Sequence, residues 1–265
     1  MKGSEDMLDG VDKVLDGSAK ILEVAPDLYE DAIKPTAKET GKTLSLLPKV
    51  INAALVPLQK WILEKEYSLA ETEKLLAKKL ESVGEEKIVT PEAYVAVPAL
   101  QAISYTMDSA ELRNLYANLL AKAMNIDKKD KVHPSFVEII KQMSPMDALI
   151  FRAIMEAPIT PLIDLYLSTG TGKNHYRYNI SWIDYYDYNK VCVSLDNLCR
   201  LRLIEIPFGS SYMRDDNYNP VRISAGYIKC KEELERIGEG QVAEEKRYIK
   251  LTTLGKSFYS VCIVE

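Results

Sequence analysis

Three short amphipathic segments follow one another between Ser109 and Glu156 with almost no linker, and this run restricts the fold more than any other part of the chain. The first segment places apolar side chains at i, i+3, i+4, i+7 and i+8, which is the spacing of a helix that buries one face. A polar turn, IDKKDK, separates it from a second stripe, and a third segment follows at once. The pattern predicts three consecutive helices. Its first two stripes are Leu112, Leu115, Tyr116, Leu119, Leu120 and Ala123, then Phe136, Val137, Ile139, Ile140 and Met143.

The second and third of these helices each have a proline near the start. Pro134 and Pro145 stand where a first-turn proline is tolerated, because its missing N–H would be unpaired in any case. Ser144 is the predicted N-cap of the third helix, and Asp147 lies near the positive end of the helix dipole. These residues predict that the third helix begins at Ser144.

The composition suits a folded chain with one or two domains, because 47% of its 265 residues are hydrophobic and 28% are charged. The net charge of −5 does not indicate a nucleic-acid-binding protein, since such domains are usually basic. The first residues lack the apolar centre of a signal peptide, and the four cysteines include no C-x-x-C pair. We therefore expect a cytoplasmic protein with reduced, partly buried thiols and with no metal and no cofactor.

Residues 44–63, LSLLPKVINAALVPLQKWIL, form an apolar stretch whose only charges are Lys49 and Lys60. One interpretation is a helix that lies on or enters a membrane, because the stretch is long enough to span one. The other is a kinked helix in the protein core, because Pro48 and Pro57 would break or kink a span. We favour the core helix, so that contact with a membrane is expected only after a trigger releases the segment.

The C-terminal part has a distinctive predicted order of elements: a helix at 144–156, a short helix N-capped by Ser194, a strand at 202–206, a strand at 248–251 and a last helix capped by Thr252. This order resembles a winged helix-turn-helix domain. Such domains usually have glycine in a left-handed turn where this chain has Arg202, which suggests a different exit from the helix. Residues 207–247 are too many for a simple wing, and the run KCKEELERIGE within them is expected to be helical.

These assignments predict a mainly α-helical protein with two domains. Residues 1–143 are the expected α-helical domain, and residues 144–265 are the expected α+β, winged-helix-like domain with long insertions. Residues 1–24 are expected to be flexible, because Gly10 and Gly17 weaken their short apolar stripe.

Residues 158–190 are rich in tyrosine, and helical periodicity fades there. GTGK at 170–173 is similar to a phosphate-binding loop, but it lacks the preceding glycine and the following Ser or Thr, so we reject that interpretation. KNHYRY at 173–178 alternates basic and aromatic side chains, as surfaces that bind single strands do. A tyrosine-rich loop packed on the domain is the favoured interpretation. The candidate contacts to nucleic acid or to a partner are Lys173, Arg177, Asn197 and Arg200.

A polar pocket or interaction site is predicted beside the apolar stripes of the helical part. Asn114 and Asn118 lie at i and i+4 of the first helix, and His133 precedes a helix start. Interhelical hydrogen bonds and helix capping are the simpler uses of these side chains. No Ser-His-Asp, Cys-His or paired-carboxylate set can be assembled, so no catalytic residue is predicted. The candidate residues are Glu111, Asn114, Asn118, His133 and Asp147.

Four phrases stand out in the chain: APDLYEDAIKPTAKETGKTL, INAALVPLQKW, ELRNLYANLLAKAMN and VHPSFVEIIKQMSPMDALI. Their order and spacing, over residues 24–206, resemble the bacterial abortive infection alpha (Abi-alpha) family. It implies a role in antiphage defence and supplies no catalytic residue. We therefore expect a non-enzymatic sensor or effector that acts through protein contacts, with a protein partner or with copies of itself. The alternatives are, in order, a nucleic-acid-binding regulator that uses the C-terminal domain, a membrane-perturbing effector that uses residues 44–63, and a hydrolase.

Overall fold

The computed structural model describes residues 47–59, 69–103, 106, 109–184, 186–238 and 240–264. Most of these residues are helical, and a small antiparallel sheet lies in the C-terminal part. The predicted fold class, mainly α with a smaller α+β part, is confirmed. Residues 1–24, which the sequence predicts to be flexible, lie outside the described residues.

The predicted run of three consecutive helices is present, and within the described residues it follows three earlier helices. In order they are α1 (Leu47–Gln59), α2 (Leu69–Leu80), α3 (Ala93–Ile103), α4 (Ala110–Ala123), α5 (Ser135–Lys141) and α6 (Pro145–Glu156). The start of α6 is the one predicted from its sequence. Ser144 Oγ accepts the N–H of Asp147 at 3.1 Å, and Asp147 Oδ2 accepts the N–H of Ser144 at 2.7 Å. This reciprocal pair satisfies two N–H groups that the helix itself leaves unpaired.

The apolar stripes of α4 and α5 lie in the main core, as predicted. Leu119 and Phe136 are at most 1% exposed, and Ile51 and Leu55 of α1 are fully buried in the same cluster. For the part of residues 44–63 that the structure describes, this placement agrees with the core-helix interpretation. Among the described residues, no helix is both long and apolar enough to cross a membrane.

The C-terminal part combines the sheet with shorter helices. In order its elements are β1 (Pro161–Thr169), β2 (Gly172–Ser181), α7 (Tyr188–Arg200), β3 (Ile204–Glu205), α8 (Asn219–Arg222), α9 (Ala225–Ile237), β4 (Gln241–Tyr248), β5 (Lys250–Leu251) and α10 (Thr253–Phe258). A 3-10 helix over Asp215–Tyr218 precedes α8, and a π-helical turn over Tyr259–Ile263 follows α10. The predicted helix in the run KCKEELERIGE is confirmed as part of α9.

The tyrosine-rich region is a β-hairpin and not the loop that the sequence analysis favours. Strand β1 lies between β2 and β4, with both pairings antiparallel. Its residues Ile163, Leu165 and Leu167 pack in a second core cluster with side chains of α8 and α9. The strand period is hidden because β1 is buried on both faces and reads as an apolar run. In β2, positive φ angles at His175 (51°) and Asn179 (57°) accompany two register shifts that break the alternation.

Helix α7 begins before the predicted position. The sequence analysis places its N-cap at Ser194, but Ser194 lies inside the helix and is buried. The observed cap is Asp187, whose Oδ1 accepts the N–H of Asn189 at 3.0 Å. A serine before an apolar run occurs both at helix N-caps and at buried positions inside helices. The local sequence does not distinguish the two cases, so the predicted start of the helix was wrong.

The exit from α7 also differs from the prediction. Arg202 has φ of 59°, so it adopts the left-handed conformation that glycine usually supplies. Its N–H donates to Cys199 O at 2.9 Å, and the N–H of Leu203 donates to Leu198 O at 3.0 Å. These two bonds form a Schellman motif, so the chain leaves the helix by the usual turn with arginine in the glycine position.

Replacing Arg202 with glycine is expected to stabilise the protein by about 0.5–1 kcal/mol, because the Cβ atom is disfavoured in the left-handed region. Asp196→Gly, at an exposed position inside α7, is the matched control, and there glycine should destabilise the helix by a similar amount. Urea unfolding followed by circular dichroism measures both changes. A lower midpoint for Arg202→Gly than for the wild type would contradict the proposed strain.

The two short strands predicted after α7 pair as expected. Ile204 lies opposite Leu251 and Glu205 lies opposite Lys250 in an antiparallel ladder, and Thr252 caps α10 by accepting the N–H of Gly255 at 2.8 Å. The winged-helix assignment itself and the domain boundary between residues 143 and 144 stay predictions. The main core cluster contains side chains from both sides of that boundary.

Candidate functional site

Three of the predicted site residues meet where α6 begins, beside α7. Asn197 Nδ2 donates to Asp147 Oδ2 and to Gln142 O, both at 2.9 Å. Arg200 donates through Nη2 to Asn197 Oδ1 at 2.7 Å and through Nη1 to Gln142 Oε1 at 2.8 Å. Asp147 is 4% exposed and also closes the capping box of α6. The network therefore fastens α7 to the α5–α6 junction and uses much of the hydrogen-bonding capacity of these side chains.

The remaining polar candidates lie in different places. Glu111 and Asn114 line one pocket of about 140 Å³. Asn118 is buried, and its Nδ2 donates to Cys262 O at 2.8 Å, which holds the π-helical turn against α4. His133 is exposed, and its Nδ1 lies 2.6 Å from Ser135 Oγ at the start of α5. The five residues predicted as a polar pocket are thus not gathered in a single cavity.

Lys173 and Arg177 lie on β2 on opposite faces of the sheet. Lys173 Nζ lies 4.5 Å from the centre of the Tyr166 ring and 3.5 Å from Glu245 Oε2. Arg177 pairs with Glu233 of α9 at 3.3 Å. Each of these predicted contact residues therefore has an acidic neighbour within the protein.

A stack of tyrosines runs along the Lys173 face of the sheet. The rings of Tyr176 and Tyr178 are parallel with centres 5.0 Å apart, and the Tyr166 ring lies 5.3 Å from that of Tyr176. The bulge at His175 brings Tyr176 and Tyr178 to the face of the sheet that carries Lys173 and Tyr166. Tyr178 ends the stack and is 53% exposed.

The four cysteines are free. Burial raises the pKa of Cys192, of Cys199 and of Cys230 to about 11, and it raises the pKa of the fully buried Cys262 as well. The thiolate is the reactive form of cysteine, so near neutral pH these groups are poor nucleophiles. Within the described ranges, no group of three or more His, Cys, Asp or Glu side chains could hold a metal ion.

A loop that the sequence analysis did not single out carries the most exposed large apolar side chains of the part of the chain that the structure describes. It spans residues 207–213, PFGSSYM, between β3 and the 3-10 helix. Phe208 is 90% exposed, and Met213 is fully exposed. Gly209, with φ of 66°, turns the chain directly after Phe208. We call residues 207–213 the 207–213 loop.

Tyr212 anchors the 207–213 loop to the sheet. Its hydroxyl accepts the N–H of Thr160 at 3.1 Å, and its own N–H donates to the hydroxyl of Tyr218 at 2.8 Å. The Tyr212 ring also lies 5.1 Å from the ring of Tyr248 on β4. These contacts hold the loop in place at Tyr212, which directly precedes the exposed Met213.

An ionic network fixes the segment that follows the loop. Arg222 donates to Glu244 Oε2 at 2.7 Å and to Asp215 Oδ2 at 2.8 Å, and Lys246 also pairs with Asp215. The hydroxyl of Tyr227 donates to Glu244 Oε1 at 2.6 Å. Hydrogen bonds from Arg222 hold the pKa of the Asp215 carboxyl and that of the Glu244 carboxyl below their usual values. The network joins α8 and the 3-10 helix to β4, so the segment that follows the 207–213 loop rests on the sheet.

Sequence comparison provides the remaining information. No curated protein sequence and no solved structure gives a significant match to the chain. The sequence model of the family described as abortive infection alpha matches residues 64–262, which extends further towards the C-terminus than the resemblance seen in the sequence phrases. Since the match covers most of the chain, the protein belongs to the abortive infection alpha family.

Proposed function

We propose that the protein is a non-enzymatic sensor or effector of antiphage defence that acts through contact with a protein partner. Membership of the abortive infection alpha family supports the defence role. The observation that carries the proposed mechanism is the pair Phe208 and Met213, both almost wholly exposed on one anchored loop.

Two exposed side chains of this kind are suited to binding a protein. Single exposed apolar residues are common on protein surfaces, but a large aromatic and a methionine together on one short loop are not explained by packing. Aromatic residues often dominate the binding energy of interfaces, and methionine adapts to varied apolar partners. Because Tyr212 already fixes the loop, binding would cost little further conformational entropy.

The alternative functions have weaker support. A nucleic-acid-binding regulator would use Asn197 and Arg200, whose side chains already bond within the protein. A membrane-perturbing effector would use residues 44–63, in which Ile51 and Leu55 are buried in the main core. The 207–213 loop needs no rearrangement to meet a partner.

The test is phage protection by a variant that carries Phe208→Ser and Met213→Ser. If both side chains are hot spots, affinity for the partner should fall about 30-fold or more, and protection in a plaque assay should be lost. A matched variant, Tyr94→Ser with Val193→Ser, removes two large side chains that are 62% and 68% exposed elsewhere, and it should protect as well as the wild type. Thermal unfolding should show both variants folded.

Cross-linking followed by pull-down from infected and uninfected cells identifies the partner. The wild type and the Tyr94/Val193 variant should recover the same protein, and the Phe208/Met213 variant should not. Full protection by a folded Phe208/Met213 variant would contradict the proposed role of the loop.

A further inference from the structure

Strand β4 forms one edge of the three-stranded sheet, and its outer side is unpaired. Gln241–Tyr248 pairs with β1 in a register without a shift, and within the described part of the chain no strand lies on the other side. None of the residues of β4 is buried, whereas most of β1 is. A strand in this position presents a row of free N–H and C=O groups to any extended chain that reaches it.

The register identifies the backbone groups of β4 that face outwards. The N–H of Ile249 donates to Thr160 O at 2.9 Å, and this pair continues the ladder in which Pro161 lies opposite Tyr248. In an antiparallel ladder, residues that bond to the neighbouring strand alternate with residues whose N–H and C=O groups point away from it. The residues of β4 that point away from β1 are therefore Val242, Glu244, Lys246 and Tyr248.

The opposite edge of the sheet, on β2, is protected. Positive φ angles at His175 and Asn179 and two register shifts interrupt the strand. The Tyr188 hydroxyl also donates to Tyr178 O at 2.7 Å, so a side chain uses a backbone acceptor there. Bulges and covered backbone groups are common protections of an edge strand. Within the described residues, β4 has no register shift, and no side chain bonds to its backbone.

The charged side chains of β4 are already neutralised on the two faces of the sheet. Each pairs with an opposite charge of the same protein: Glu244 with Arg222, Glu245 with Lys173, Lys246 with Asp215 and Arg247 with Asp164. Free charges on an edge strand oppose pairing, because an added strand would take them out of water. A strand that pairs with β4 would cover no charge that lacks a partner.

The 207–213 loop lies at the end of this edge. Arg247 Nη2 donates to Ile206 O, directly before the loop, at 3.1 Å, and the Tyr212 ring lies 5.1 Å from the Tyr248 ring. Successive side chains of a strand point to opposite faces, so the loop passes around the end of β4 from one face to the other. The exposed apolar side chains of the loop and the open edge are therefore adjacent.

We propose that an extended segment of the partner protein pairs with β4 as an additional strand and places apolar side chains against Phe208 and Met213. This inference rests on the proposed function, because the segment belongs to the partner that the 207–213 loop contacts. In such strand additions, backbone hydrogen bonds supply affinity, and the side chains beside them supply specificity.

A second copy of this chain is a poorer occupant of the edge. In a two-fold symmetric antiparallel pair, one residue lies opposite its own copy. In the two registers that pair most of β4, that residue is Glu244 or Glu245. Like charges directly opposite each other destabilise a sheet, so a segment of different sequence fits better.

Hydrogen exchange of the full chain, followed by NMR, tests whether the edge is open. The amides of Val242, Glu244 and Lys246 should exchange about 100-fold faster than those of Ala243 and Glu245, which bond to β1. Equally slow exchange of both sets would mean that the edge is already covered, and the proposal would be wrong.

The binding probe is a synthetic peptide of about eight residues that alternates threonine and valine and ends in phenylalanine and leucine. The unmodified peptide should bind at least about tenfold more tightly than the same peptide with methylated backbone nitrogens, which keeps the side chains and loses the N–H donors. It should also slow the exchange of the Val242, Glu244 and Lys246 amides. Equal affinity of the two peptides, or no binding of either, would contradict strand addition.

Val242→Pro links the edge to phage protection. Proline removes an outward N–H and no bond to β1, so an edge strand tolerates it, but an added strand loses a donor and meets the ring. This variant should lose protection and bind the peptide at least about tenfold more weakly. The matched control, Val242→Ala, keeps the N–H and should behave as the wild type. Circular dichroism verifies folding, and the exchange of the wild type with the peptide decides the question if Val242→Pro does not fold.

The variants separate this inference from the proposed function. Full protection by a folded Val242→Pro variant, with protection lost in the Phe208/Met213 variant, would contradict the added strand and leave the loop contact standing. The reverse result would keep the edge as the binding site and contradict the role of the loop. A wild-type dimer that Val242→Pro dissociates in sedimentation would assign the edge to a second copy and overturn the proposal.

Discussion

Gly255→Ala is expected to disrupt the packing of the C-terminal helix on β3. A Cβ atom built on Gly255 would lie 2.0 Å from Leu203 O and 2.9 Å from the carbonyl carbon of the same residue. Both atoms belong to the backbone, so no side-chain rotation can relieve the clash. The same carbonyl oxygen accepts the N–H of Thr252 at 3.3 Å, which ties the start of α10 to β3. Overpacking costs typically about 1–3 kcal/mol, and we expect at least the upper value because the backbone must move.

Gly226→Ala is the matched control for this substitution. Gly226 lies in the first turn of α9, and a Cβ atom there would meet its nearest neighbour, Tyr188 Cβ, at 3.6 Å, an ordinary van der Waals distance. Alanine should be neutral or stabilise the protein by about 0.5–1 kcal/mol at that position, since it favours the helix. Urea unfolding compares the two variants. Equal midpoints for Gly255→Ala and Gly226→Ala would show that the close approach of Leu203 is not a constraint.

Helix starts were the part of the fold that the sequence predicted best. The capping box of α6 depends on Ser144, Pro145 and Asp147, which lie within four positions of one another, so local chemistry determines the result. The same kind of local signal failed at Ser194, because a buried serine inside α7 cannot be told from a cap without knowing its neighbours. It also failed at Arg202, where packing of α7 and β3 imposes a left-handed turn on a residue that does not favour it.

The surface used in the proposed function was harder to predict for a different reason. The 207–213 loop did carry a visible signal, since a phenylalanine and a methionine lie among turn-forming residues. The sequence does not show whether these two side chains are buried or exposed. Their exposure depends on contacts between distant residues, such as those of Tyr212 with Thr160 and Tyr248.

Phe258→Ala is expected to destabilise the helical part as well as the C-terminal helix that carries the residue. The Phe258 side chain is fully buried, and its ring packs edge-on against Phe136 of α5 at 5.5 Å and against Phe151 of α6 at 5.9 Å. Truncation would remove aromatic contacts on two sides and leave a cavity that the surrounding helices cannot close. The expected cost is about 3–5 kcal/mol.

Phe208→Ala removes the same atoms from a side chain that is 90% exposed, so its free energy of unfolding should stay within about 0.5 kcal/mol of the wild type. Phe258→Leu should lie between the two, because it keeps part of the buried volume. Urea unfolding monitored by circular dichroism gives the three midpoints and the slope of each transition. The slope should be unchanged if only stability differs. A midpoint for Phe258→Ala equal to that of Phe208→Ala would mean that the aromatic cluster does not hold α10 to α5 and α6.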